Sequence, residues 1–332
     1  PITAECITTL TYYAIDNANN VESQKTLEIK IDKTPPTITA TTSPPPNSSG
    51  WNNSDVTVTF TATDTLSGIA SATEPVTVTT EGANQYIGGE AVDIAGNTAT
   101  TYVVLNIDKT KPEISITSPE ENKEYFHTQA IPLTYTITDN LSQIASSSVT
   151  LDGAALPPSA NIQTTIGKHT LTITATDKAA NHAVLERHFT VKLKAKVTIK
   201  PEVFLCNRGI FLAFVKFPQG YDVKTITDAT CDGAPAKKII PLYHNTSLIL
   251  FRREDITQTP IDTTFTVRGH FNNGLLFEGT DTIKKIISRF RSIKDKEDEE
   301  RELDRAIDDA WKHHGAHKDY NWLKKDIREL NR

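Results

Sequence analysis

Residues 90–116, EAVDIAGNTATTYVVLNIDKTKPEISI, decide the fold, because the chain writes this stretch three times. An earlier version runs from Tyr13 to Ala40, YAIDNANNVESQKTLEIKIDKTPPTITA, and a later one from Thr174 to Lys200, TATDKAANHAVLERHFTVKLKAKVTIK. The aspartates that open the Ala-Asn turns are Asp16, Asp93 and Asp177, spaced 77 and 84 residues apart. Self-similarity at a nearly constant spacing marks one structural unit repeated along the chain.

Each copy has an apolar run, a turn of the form D-x-A-(G/N/A)-N, and a second run that alternates. Val103, Leu105 and Ile107 alternate with Tyr102, Val104 and Asn106, and Leu27, Ile29 and Ile31 alternate with Glu28 and Lys30. A period of two predicts strands with one buried face. Gly96 and Asn97 tolerate positive φ, so they suit a tight reversal between paired strands. The stretch therefore reads as the closing hairpin of a β-sandwich. Ile107-Asp108-Lys109-Thr110-Lys111-Pro112 leaves that hairpin for the next unit, and its proline stiffens the joint.

Outward from the hairpin, the same unit extends upstream. A proline-rich lead-in is followed by Val56-Thr57-Val58-Thr59-Phe60, the turn Asp64-Thr65-Leu66-Ser67-Gly68-Ile69, and Val76-Thr77-Val78. In the next unit Leu133 to Ile137 is the matching strand, and Asp139-Asn140-Leu141-Ser142-Gln143-Ile144 repeats the turn 75 residues after Asp64. Short strands with regular turn signals point to sandwiches. Residues 33–108 and 109–193 resemble bacterial Ig-like repeats, which occur in tandem in large secreted and surface proteins of bacteria and archaea. Some members of that family carry a cysteine pair near positions 62 and 72, where this chain has Ala62 and Ala72. The resemblance implies an extracellular spacer or adhesive stalk and names no ligand.

The expected organisation is all-β, tandem immunoglobulin-like sandwiches with a short helical C-terminal tail. Residues 1–32 hold only a closing hairpin, with Thr9–Ile15 and Val21–Ile31 as strands, and an isolated two-stranded ribbon is marginal in water. Residues 33–108 and 109–193 are full units. Residues 194–283 read as a divergent sandwich, with strands at Val197–Ile199, Ile210–Phe217, Leu248–Phe251, Phe265–Val267 and Leu275–Phe277. Residues 284–332 carry 26 charges in 49 positions. There Ile286, Phe290 and Ile293 recur at helical spacing, as do Leu303, Ile307, Ala310 and Trp311. Gly315 is a stop, Asp319 an N-cap, and Leu323, Ile327 and Leu330 form a further stripe. Such stripes fold onto their own protein or dock a partner.

Composition narrows the function. With a net charge of −6, the chain offers no broad basic surface for nucleic acid. No run of eighteen apolar residues exists to span a membrane. Starting at Pro1 without any methionine, the chain reads as a processed or excised piece. Three cysteines are too few for a disulfide scaffold; Cys206 and Cys231 are either paired or buried thiols, and Cys6 lies far from both. Sequons at Asn47, Asn52, Asn140 and Asn245 agree with an extracellular setting.

The sharpest candidate chemistry is calcium at the joints. In an immunoglobulin-like sandwich the loop after the second strand, the last hairpin turn and the incoming linker share a pole. That predicts Asp32 beside Asp64 and Asp93, and Asp108 beside Asp139 and Asp177. Hard oxygen ligands from three segments suit calcium, which takes roughly six to eight oxygens. The competing reading has each aspartate capping its own turn, with the lysine of each Asp-Lys-Thr as counter-charge. The third joint, with Lys194 and Lys196, has no such triad. His313, His314 and His317 cluster in the tail but are split by Gly315, which argues for surface histidines over a metal site. No nucleophile elbow, zinc-protease, P-loop or dinucleotide motif occurs, so no catalytic residue or organic cofactor is expected.

The function expected is therefore non-enzymatic: a secreted or cell-surface spacer, stalk or adhesive part of an envelope layer or filament. Each unit would add roughly 35–45 Å of reach. Expected partners are other surface or filament proteins, glycans, or further copies met through residues 1–32 or the helical tail. The alternative is an accessory region of a secreted enzyme whose catalytic domain precedes Pro1.

Overall fold

The computed structural model describes residues 2–157, 161–162, 164–205, 209–257, 263–287, 293–313 and 321–330. It divides into two compact units. One comprises residues 1–115, 135–149 and 173–185, and the other residues 116–134, 150–172 and 186–332. No helix of the described residues is long and apolar enough to cross a membrane.

The first unit opens with a hairpin of Cys6–Tyr12 and Lys25–Ile31, in register from Cys6 opposite Ile31 to Tyr12 opposite Lys25. The strands are shorter at the turn than alternation predicts; Ile15 and Val21 keep a single bridge across it. A sandwich follows. Thr37–Ser43, Val56–Thr63 and Val76–Val78 form one three-stranded sheet, and Ile69–Ala72, Gly82–Asp93 and Thr98–Ile107 form the other. The Val-Thr-Val-Thr-Phe alternation works as the period of two requires. Val56, Val58 and Phe60 point inward with Val78 and meet Leu105 and Ile107, with Ile38, Ala40, Ile87 and Val103 at the margin. The intervening threonines face out.

Gly89 exists because of this core. A Cβ built on it would lie 2.4 Å from the Phe60 ring. Gly89→Ala is expected to destabilise the unit by about 1–3 kcal/mol, as overpacked cores do, read as a lowered denaturant midpoint at unchanged slope.

The second unit carries a different sandwich. Lys196–Lys200, Ile210–Lys216, Thr246–Arg252 and Lys238–Pro241 make a four-stranded antiparallel sheet in that order. Leu276–Thr282, Thr264–Phe271, Ile226–Cys231 and Ala234–Pro235 make the facing one. Between them lies an aromatic core of Phe204, Phe211, Phe217, Phe251, Phe265, Phe271 and Phe277. Ile210–Lys216 (IFLAFVK) and Thr246–Arg252 (TSLILFR) are buried along nearly their whole length. Both faces of these strands are covered, which is why they read as continuous apolar runs.

The second cover is the helical tail. Helix α1 (Ile293–His313) brings Leu303 and Ile307, and helix α2 (Asn321–Leu330) brings Leu323 and Ile327. All four are buried with Ile210, Leu212, Leu248, Leu250 and Ile240 on the outer face of the four-stranded sheet. Lys324 of α2 and Asp308 of α1 pair at 2.9 Å. These four residues of the stripe are thus covered by the chain's own sheet. Ile286, which helical spacing placed at the start of the tail, lies instead in the strand Lys285–Ile287, parallel to Val203–Leu205; the short β-branched run Lys-Ile-Ile favours the ladder. Phe290, Gly315 and Asp319 fall outside the described residues.

Candidate metal centres at the joints

The turn that closes each hairpin is built the same way. Asp93 ends its strand, and Gly96 takes φ 94°. Asp93 Oδ1 then accepts the Asn97 amide at 2.8 Å, and Asp93 Oδ2 accepts Asn97 Nδ2 at 2.7 Å. At Asp177 and Asn181 the same two bonds are 2.8 Å each, with Ala180 at φ 72° in the glycine's place. Asp16 and Asn20 form the pair a third time, at 2.9 Å for both bonds. Asn97 is not the positive-φ residue of the turn, as its residue type suggested; it is a clamp.

At two of the three turns the clamp reaches further. Asn97 Nδ2 also donates to the Asp32 carbonyl at 3.3 Å, and Asn181 Nδ2 to the Asp108 carbonyl at 2.8 Å. This holds the incoming linker against the turn. The linker aspartate in turn caps the loop after the second strand. Asp32 Oδ2 accepts the Ser67 amide, and Asp108 Oδ2 the Ser142 amide, each at 3.0 Å. Asp64 Oδ1 caps the Leu66 and Gly68 amides, and Asp139 Oδ1 those of Leu141 and Gln143.

Two triads result. Oxygens of Asp32, Asp64 and Asp93 lie within 4.8 Å of one another, and so do those of Asp108, Asp139 and Asp177. Asp93, Asp108 and Asp177 are buried. All six aspartates singled out in the sequence are thus brought together, three and three. Asp16 has the clamp without the other two carboxylates, so the clamp belongs to the turn and the triad to the joint.

The lysines do not neutralise the triads. Lys33 Nζ donates to the Thr3 carbonyl at 3.1 Å, and Lys109 Nζ to the Thr79 carbonyl at 2.7 Å and to Asp55 at 2.9 Å. Their backbone amides and the neighbouring threonine hydroxyls bind Glu5 and Glu81. Among the described residues no ion pair reaches any of the six aspartates. Hydrogen bonding from Ser67, and after it from the Thr34 amide, holds the Asp32 carboxyl below the ordinary carboxylate value, so it is ionised at neutral pH. That contribution to stability is complete above the unfolded-state value and fades as pH falls through the lowered one.

No family model matches the chain, and no curated protein does. Among solved structures it is similar to the fibronectin(III)-like modules of Clostridium thermocellum CbhA, at 18% identity over 47% of this chain and 94% of that one, TM-score 0.26. It is similar to Sidekick-1 immunoglobulin domains 1–5, at 13% identity over 86% and 68%, TM-score 0.31. Mouse cadherin-23 EC22–24 gives 12% over 78% and 90%, TM-score 0.28. The chain is a tandem array of immunoglobulin-like sandwiches.

The third joint of the array is settled differently. Lys192 is buried, and its Nζ meets Glu278 at 2.7 Å and Glu124 at 3.0 Å while lying 4.7 Å from the centre of the Phe126 ring. Arg268 Nε reaches the same Glu278 oxygen at 2.5 Å. Protein cations here balance the acids that the first two joints leave unbalanced.

The other candidates resolve as follows. The Cys231 thiol is buried and free, and burial pushes its pKa up, with Asp232 adding to the effect. Cys206, His314 and His317 lie outside the described residues, and His313 ends α1. Asn52 is buried, with Nδ2 donating to the carbonyls of Pro44 and Pro45 at 3.1 Å each, so that sequon is closed to a glycan; Asn140 is exposed. A cavity of about 250 Å³ is lined by Phe126, His127, Gln129, Asn161, Thr164 and others. His127 is the titratable residue of that lining, and its Nδ1 accepts the Lys194 amide at 3.2 Å.

Proposed function

We propose that this chain is a non-enzymatic, modular extracellular protein, a spacer or adhesive component of a cell envelope layer or filament, whose first two joints are set by calcium. The observation that carries the reading is the pair of matching carboxylate triads with no basic partner among the described residues. Each joins the outgoing linker of one hairpin to two loops of the next sandwich. Three like charges so close repel, and backbone amides offset only part of that. A hard divalent cation balances the charge and ties three segments at one point. The shared carbonyl contacts of Asn97 and Asn181 place the linker for it.

Calcium that binds the folded joints raises their stability by mass action. At free calcium about tenfold above Kd each site contributes ~1.4 kcal/mol, worth roughly 3–5 °C in Tm for a unit of this size. The full chain is therefore expected to melt higher in calcium than in chelator, with magnesium less effective. Superimposable melts in calcium and chelator would sink the metal part of the reading and leave the modular part standing.

A further inference from the structure

The hairpin Cys6–Ile31 repeats the pairing of the hairpin Gly82–Ile107, apart from one bulged residue between Gly82 and Gln85 in the latter. Cys6 opposes Ile31 as Gly82 opposes Ile107. Thr8 opposes Ile29 as Gln85 opposes Leu105, and Leu10 opposes Leu27 as Ile87 opposes Val103. The flanks match too. Glu5 binds Lys33 and Thr34 as Glu81 binds Lys109 and Thr110, and Thr3 accepts Lys33 Nζ as Thr79 accepts Lys109 Nζ.

The burial does not match. Leu105 and Ile107 are 2% and 0% exposed under the sheet of Val56, Val58 and Phe60, whereas their counterparts Ile29 and Ile31 are only half-buried; Leu10 and Leu27 are 43% and 51% exposed where Ile87 and Val103 are half-buried. Ile2 stands at the position of Val78, the last residue of the covering sheet, and is 37% exposed against 8%. The first hairpin has the inward face of a sandwich half, and the described residues leave that face half-covered near Ile29 and Ile31 and open at Leu10 and Leu27.

We infer that the hairpin Cys6–Ile31 is a docking face for the opening half of a further module: a three-stranded sheet of the kind made by residues 37–43, 56–63 and 76–78, with its last strand running into Ile2. The chemistry of the occupant is specified by the covered copy, namely valine and phenylalanine at alternate positions facing in and threonine facing out. A second copy of this chain does not supply it, since Val56, Val58 and Phe60 are already buried at 0%, 0% and 7% under their own hairpin. The inference rests on the repeat and stands independently of calcium.

The test grafts a second copy of residues 35–77 directly ahead of Ile2 in the full chain. Amide exchange at Leu27, Ile29 and Ile31 is then followed with and without the graft. The graft is expected to slow exchange on the order of 100-fold, as amides pass from a lone ribbon into a sandwich core. A graft carrying Val58→Asp and Phe60→Asp in the added copy is expected to leave exchange fast. Unchanged exchange with the intact graft, or equal slowing with the aspartate graft, overturns the inference. So does slow exchange in the ungrafted chain that increases with chain concentration, since a second copy would then be the occupant.

Discussion

Replacing Phe277 by alanine is expected to lower the urea midpoint of the C-terminal sandwich by about 2 M. Phe277 is fully buried, packs edge-on to Phe217 with ring centres 4.9 Å apart, and meets Phe271 at 5.5 Å. Truncating a buried phenylalanine costs about 3–5 kcal/mol through lost transfer energy and the cavity left behind. The lost edge-to-face pairs add ~1 kcal/mol. With a urea slope of about 2 kcal/mol/M the midpoint moves by roughly 2 M. The ring sits directly over Gly269, where an added Cβ would lie 2.5 Å from it. Phe277→Leu keeps most of the volume and is expected to cost less than about 1.5 kcal/mol. Denaturation followed by circular dichroism makes the comparison; a shift under ~0.5 M for the alanine variant would show that this aromatic cluster is not what holds the two sheets together.

Replacing Asp177 by alanine is expected to cost about 2–4 kcal/mol in calcium and less in chelator. Asp177 is 2% exposed and accepts both the amide and the side-chain nitrogen of Asn181. Removing it strands two buried donors, each worth about 1–3 kcal/mol when unpaired. It also frees Asn181, whose Nδ2 holds the Asp108 carbonyl, so the linker loses its anchor. Against that, the variant removes one of three clustered negative charges, a relief that counts only when no cation balances them. The dependence of the loss on calcium separates the two contributions. Equal losses in calcium and in chelator would mean that Asp177 serves the turn alone, as Asp16 does at the first hairpin.

The triads were legible because each of their three parts recurs in the sequence: the aspartate of D-x-A-x-N, the aspartate opening D-x-L-S, and the aspartate of the Ile-Asp-Lys-Thr linker. Sandwich topology then places all three at one pole. The supporting groups were not legible. Asn97 reads locally as a turn residue, and only the closed joint shows its second bond to the Asp32 carbonyl. Glu5 and Glu81 lie outside the recurring stretch, 28 residues before the linker amides they bind. Lys33 and Lys109 look like counter-charges because they adjoin the aspartates, but neighbours in a strand-like linker point to opposite sides. In the last sandwich, continuous apolar runs announce strands without saying what covers the second face; a stripe on a helix fits its own sheet or a partner equally well until the chain folds. The short strand Lys285–Ile287 was hidden for a related reason, since three residues are too few to carry a period.

The joints also explain why the repeat tolerates so much change between them. Hydrogen bonds that define each pole run from side chains to backbone: Asp32 to Ser67, Asp108 to Ser142, Asn97 and Asn181 to linker carbonyls. Backbone partners impose no residue type on the other side, so loop sequences can drift while the pole persists.

Calorimetric titration of the metal-free full chain with calcium tests the central claim most directly. The expected result is two ions bound per chain, with Kd on the order of 0.1–1 mM, the range of extracellular calcium modules. Asp93→Asn and Asp177→Asn should each reduce the count to one. Binding of no ion, or of two ions that survives both substitutions together, would contradict it.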